Sequence, residues 1–137
     1  MTDTQSGITP EMIADLVPFA RFLNIAFPVL TSTQVIARLP FQDGYRTIGG
    51  GVHGGAQMAL ADITAAVMAV LANGDPSSAP ATMQSSTNFL EAAHGDLTAT
   101  AAVLRHGRSA VIDVVITDET GTVTATVRQV VAVRATR

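Results

Sequence analysis

The stretch "GGAQMALADITAAVMAVLA", Gly54–Ala72, decides the fold. Alanine, leucine and methionine favour helix, and Asn73-Gly74 supplies a stop signal directly after it. The segment is apolar nearly all round, and a helix of that kind is buried on most sides. In a chain of 137 residues, a sheet that curls around the helix has to supply the burial. Between Thr47 and Gly74 the only formal charge is Asp62, which stands inside this apolar helix. An aspartate there is a poor helix former and costly to bury unpaired, so it is the first functional lead.

The flanking sequence is consistent with a helix wrapped by strands. Thr9-Pro10-Glu11 reads as a helix start, with Thr9 as cap, Pro10 at the first position and Glu11 at the positive end. Met12, Ile13, Leu16 and Val17 form its apolar stripe, and Pro18 ends or bends it. Residues 25–39 read as extended chain, closed by Pro40, and residues 45–51 as a glycine-rich loop. Further strands are expected over 81–90, 95–107, 109–117 and 122–133, the last two joined by the turn residues "DETG". The expected class is α+β, with one central helix and an antiparallel sheet. Residues 1–8 are expected to form a flexible N-terminal tail and residues 9–137 a single domain.

Composition narrows the function. Hydrophobic residues make up 47% of the chain and charged residues only 14%, well under the usual quarter. Some apolar surface is therefore expected to be covered by a second copy. The net charge is −3, and the basic residues are eight scattered arginines with no lysine, so no nucleic-acid partner is expected. The absence of cysteine excludes disulfides and thiolate catalysis. Val52–Ala72 is long enough to span a bilayer, but it carries His53, Gln57, Asp62 and Thr64. Enclosure by protein is the expectation, with no membrane partner. The polar N-terminus "MTDTQSGITPEM" lacks the features of a signal peptide, so a cytoplasmic location is expected.

The glycines before the helix are the second lead. Gly54-Gly55 opens the helix, where unpaired amide N–H groups and the helix dipole favour negative charge. Such an N–H can stabilise a developing oxyanion, or the glycines can simply allow close packing. Gly54 and Asp62 are eight residues apart, about 12 Å along a helix, too far to touch one carbonyl centre together. They can cooperate if two copies of the helix run antiparallel in a twofold dimer, which creates two identical sites. His53 can hold the loop or contact substrate. Thr82, Gln84, Ser86 and Asn88 are expected on one face of strand 81–90, one of them reaching the site. Arg105 and Arg108 can meet the phosphates of an anionic substrate, or simply be solvated at a turn. No metal-ligand spacing, dinucleotide fingerprint, phosphate loop or serine nucleophile elbow is present, so no metal or other cofactor is expected.

The string "GGGVHGGAQMALADITAAV", Gly49–Val67, resembles the hotdog-fold thioesterases, specifically the small PaaI-like or acyl-CoA thioesterase 13-like group. Its "HGG" is followed by an acidic residue seven positions after the second glycine. "GDLTATAAVLRHGRSAVIDVVITDETGTVTATV", Gly95–Val127, resembles the later strands of that family, including the "GR" between two of them. The likeness covers roughly residues 20–133. It implies a hotdog fold, a long central helix wrapped by a curved antiparallel sheet, in dimers that often pair into tetramers.

It also implies an acyl-CoA thioesterase. Asp62 matches the family's base or nucleophile, and Gly54 the amide that polarises the thioester carbonyl from the other subunit. His53 matches the family histidine, and Thr82 a strand hydroxyl that helps place water. Thr47 stands where some members have an asparagine six residues before the histidine. Thr47, Gly55, Arg105 and Arg108 are the expected substrate-binding positions. A noncatalytic acyl-CoA-binding protein on the same fold is the alternative. A hotdog dehydratase fits worse, because His53 and Asp62 are nine residues apart.

Overall fold

The computed structural model describes residues 3–4 and 7–135. The elements run β1 (Asp3–Thr4), α1 (Pro10–Leu16), α2 (Pro18–Phe22), β2 (Ala26–Leu30), β3 (Val35–Leu39), α3 (Gly54–Asn73), β4 (Ala79–Phe89), β5 (Leu97–Arg105), β6 (Ser109–Thr117) and β7 (Val123–Arg134), with a 3₁₀ turn over Asp43–Tyr45. They build one sheet in the order β1-β2-β3-β5-β6-β7-β4. The two-residue β1 runs parallel to β2, and every other pair is antiparallel. Of the expected tail over residues 1–8, part lies outside the described residues. Within it Asp3–Thr4 pairs with β2, and Ile8 is buried in the core.

The long helix is the centre of the molecule. It starts at Gly54, capped by His53, and ends at Gly74, whose φ of 80° is the left-handed conformation that glycine adopts without strain. Leu60, Ala61, Ala65 and Met68 are buried against the inner face of the sheet. Facing them, β3 presents Val35, Ala37 and Leu39, β5 presents Leu97, Ala99 and Ala101, and β6 presents Ile112, Val114 and Ile116. The alanines on these strands let the helix lie close, and the branched residues fill the space between. The helix is long and apolar enough to cross a membrane by length and composition. Here the sheet wraps it instead, the α+β arrangement expected from its all-round apolarity.

One expectation is corrected and one is extended. Residues 25–39 form two strands, because Thr31–Gln34 is a turn: Thr31 Oγ1 accepts the N–H groups of Thr33 at 3.3 Å and Gln34 at 3.0 Å. Pro18 ends α1 but also opens α2, with Val17 as cap to both. The expected start of α1 is borne out, since Thr9 Oγ1 accepts from Met12 N at 3.2 Å and Pro10 takes the first position.

Strand β4 is unlike the others. It pairs with β7 on one side, and its other side is the edge of the sheet. Ten of its eleven residues are exposed. It carries no charged side chain to discourage pairing with another strand. Its register slips between Thr82, opposite Val131, and Gln84, opposite Val130, so Met83 is an extra residue in a bulge. The bulge corrects a further expectation, that Thr82, Gln84, Ser86 and Asn88 share a face. Gln84 Nε2 donates to Ser86 Oγ at 2.7 Å on one side, while Thr82 turns to the helix on the other.

Candidate active site

Asp62 emerges from α3 beside β4 and β7. Its Oδ1 accepts two hydrogen bonds, from Thr82 Oγ1 at 2.7 Å and from Gln129 Nε2 at 3.1 Å. Oδ2 has no hydrogen-bond partner among the described residues. The two donors differ in setting. Thr82 lies on the exposed edge strand, whereas Gln129 is fully buried on the inner face of β7 between Val127 and Val131. Thr82, expected as a hydroxyl that places water, here touches the Asp62 carboxylate directly. The two contacts leave a carboxylate with one oxygen committed to the protein and one open, a usable arrangement for accepting a proton or attacking a carbonyl.

The start of α3 forms a separate group. His53 N donates to Tyr45 O at 2.7 Å, which anchors the histidine to the preceding loop. Its Nδ1 then accepts the N–H of Gly55 at 2.8 Å, capping the helix. Gly55 therefore has its amide committed. The Gly54 N–H makes no hydrogen bond among the described residues. Gly54 lines a cleft of about 590 Å³ with Thr47, Ile48, Gln57, Phe89, Leu90 and residues 91–94. Gly49 and Gly50, at φ 88° and 91°, turn the loop that forms one wall. The opposite wall is tied in by Val52 N donating to Ala93 O at 2.8 Å and His94 N donating to Asp118 Oδ2 at 3.1 Å. The cleft mixes apolar side chains with Thr47, Gln57, Glu91 and His94, and its free amide at a helix N-terminus suits a carbonyl that gains negative charge.

A family model described as a domain of unknown function, DUF4442, matches residues 7–133. The chain belongs to the DUF4442 family. No curated protein matches its sequence. The DUF4442 chain is similar in structure to the thioesterase HI1161 of Haemophilus influenzae, with 21% identity and a TM-score of 0.83 over 93% of this chain and 92% of that one. It is similar to a mutant of the thioesterase PA1618 of Pseudomonas aeruginosa, with 21% identity and a TM-score of 0.84 over 95% and 96%. It is also similar to the PaaI protein of Escherichia coli from the phenylacetic acid degradation operon, with 21% identity and a TM-score of 0.79 over 92% and 90%. The DUF4442 chain therefore has the hotdog fold, in the form seen in PaaI-type structures, as the sequence resemblance implied.

Within the single DUF4442 chain the expected residues fall into three places. Asp62 and Thr82 meet. His53, Gly54, Gly55 and Thr47 gather at the helix start, with Thr47 and Gly54 both on the cleft. Arg105 and Arg108 are exposed at the β5–β6 hairpin. That hairpin lies at the Asp62 end of the sheet: Ser109 is opposite Ala132, which is opposite Ala81, and Ser109 Oγ donates to Met83 Sδ at 3.7 Å. From the Ser109 row to the Ile116 row beside the cleft, the sheet spans about 23 Å at a strand's usual rise. The arginines are remote from the cleft of their own chain.

Gln129 and Gln57 escaped the sequence reading. Gln57 is buried beside the cleft, its Oε1 accepting from Thr124 Oγ1 at 3.0 Å. Gln129 had a signal: in "TVRQVVA", residues 126–132, Val127, Gln129 and Val131 occupy one face, so a polar side chain faces the core.

Proposed function

We propose that this protein is an acyl-CoA thioesterase that hydrolyses the thioester to a free acid and coenzyme A. The observation that carries the reading is the Asp62 carboxylate, anchored through Oδ1 and open at Oδ2, on the central helix of a fold shared with proteins named thioesterases. A thioester is already reactive, so one carboxylate and one oxyanion donor are enough. In the general-base route, Asp62 takes a proton from water as the water oxygen attacks the acyl carbon. The carbonyl oxygen becomes an oxyanion facing the Gly54 N–H. Collapse breaks the carbon–sulfur bond and releases coenzyme A as the thiolate. In the covalent route Asp62 Oδ2 attacks the acyl carbon, the carbon–sulfur bond breaks with release of the coenzyme A thiolate, and water then hydrolyses the mixed anhydride to the free acid and the Asp62 carboxylate. Under single turnover in oxygen-18 water, label in Asp62 establishes the covalent route, because general-base catalysis places the label only in the released acid.

The same proposal makes the active unit a homodimer, with two such dimers able to associate. Asp62 and Gly54 of one chain are about 12 Å apart along α3, so one helix cannot serve both ends of a reacting carbonyl. Pairing of two copies along the uncharged, exposed edge of β4, with the two helices antiparallel, brings the helix start of one subunit toward Asp62 of the other. It also brings Arg105 and Arg108 of one subunit toward the cleft of its partner, where they can meet the phosphates of coenzyme A. His53 and Thr82 hold the helix start and the carboxylate. Thr47 borders the acyl group.

The test is thiol release from short, medium, long and aromatic acyl-CoAs, comparing the protein with Asp62→Asn. The expected result is at least one good substrate and a fall of about a hundredfold or more in kcat in the variant, with its assembly intact. Acyl-CoA that binds tightly but is never cleaved would make this a binding protein instead.

A further inference from the structure

We infer that Gln129 is a positioning residue for Asp62, kept in the core to hold the carboxylate in one orientation; this rests on the hydrolase reading of Asp62. Gln129 is fully buried, and its Oε1 is buried with no hydrogen-bond partner among the described residues. A buried amide with half its polar capacity unmet is destabilising relative to an apolar side chain of the same size. Packing between Val127 and Val131 therefore does not call for glutamine at this position.

What glutamine supplies is the second donor on Asp62. An ionised carboxylate only accepts hydrogen bonds, so the NH₂ end of the amide faces Oδ1 and the carbonyl end turns away. Thr82 alone is a rotating hydroxyl on an edge strand, and it would leave the carboxylate free to turn about Cβ–Cγ. Two donors from two different strands, aimed at the same oxygen, fix the carboxylate plane and keep Oδ2 as the open atom. The amide touches neither the cleft nor the open oxygen, so its effect on the reaction runs through Asp62.

The deciding variant is Gln129→Met, which keeps the volume and removes the amide. The expected result is a fall in kcat of about tenfold or more with KM within about twofold, a thermal midpoint equal to or above the parent, and a second orientation of Asp62 in its crystal structure. A kcat within about twofold of the parent, or a single unchanged Asp62 orientation, overturns the inference. Asp62→Asn is measured beside it. If that variant keeps full turnover, or the parent cleaves no thioester, the hydrolase reading has failed, and the Asp62 orientation in Gln129→Met alone judges the positioning role. Gln129→Leu takes the same two measurements if the methionine variant does not fold.

Discussion

A Cβ placed on Gly54 would stand 3.1 Å from the ring of Phe89, closer than side chains normally pack. The two residues come from the first turn of α3 and the last position of β4. At this first helical position alanine gains less than the roughly 1 kcal/mol of helix propensity it gains in a helix interior, and the half-exposed ring can swing outward to make room. Stability of Gly54→Ala is therefore expected to stay within about 1 kcal/mol of the parent. Activity is not: the methyl group and displaced ring crowd the free N–H, and kcat/KM is expected to fall about tenfold or more. Adding Phe89→Ala should recover part of that loss, and a double-mutant cycle on kcat/KM measures the recovery.

Thr82→Val removes one hydroxyl with almost no change in shape. Thr82 is one of two donors that orient the Asp62 carboxylate, so kcat is expected to fall about tenfold or more. Because Thr82 is exposed on an edge strand, the thermal midpoint should move little. Steady-state kinetics and calorimetry on the same preparation check both. Unchanged kcat would mean that the 2.7 Å contact with Asp62 serves only to fasten β4 to α3.

His53 caps α3 through Nδ1, and that role has its own signature. His53→Ala should lose about 1 kcal/mol of stability with the cap. His53→Asn restores a side-chain acceptor, so it should regain most of the stability, and turnover within about threefold of the parent if the imidazole acts only by holding the helix start. Asn and Ala variants that are equally inactive would place the imidazole against the substrate.

Asp118 predicts a pH dependence of stability. The Thr120 hydroxyl holds its carboxyl below the ordinary aspartate value, opposed by burial and aided by the N–H groups of His94, Thr120 and Thr122. A carboxylate with a depressed folded-state pKa contributes stability that is complete above its unfolded value and fades as the pH falls through the folded one. Asp118→Asn should thus be less stable than the parent at neutral pH. The difference should shrink as the pH drops below about 4. Urea unfolding of the two proteins across that range reads it, and a constant gap would rule out the ionised carboxylate as the cause.

The large features were legible because they rest on local pattern. All-round apolarity between Gly54 and Ala72 implied a wrapped helix, and the valine-rich runs around "DETG" implied the β6–β7 hairpin. Gly54 and Asp62 stood out because a glycine pair and a lone charge are conspicuous in an apolar stretch. What escaped depends on register. The turn at Thr31–Gln34 hides in a strand-like composition, since threonine serves both. The Met83 bulge leaves no compositional mark. The partnership of Gln129 with Asp62 joins residues 67 positions apart, and only the pairing of strands around α3 brings it into being.

Thr82 and Phe89 are seven positions apart on one strand, and both reach α3, one at Asp62 and the other at Gly54. An odd separation in a regular strand would send them to opposite faces. The extra residue at Met83 makes the count even in effect, so this strand works as a ruler between the carboxylate and the helix start. A ruler of that kind tolerates substitution freely and length change hardly at all. Losing or gaining one residue between positions 82 and 89 would turn one contact or the other to solvent. Relatives that keep both contacts should therefore vary in sequence along this span while holding its length constant.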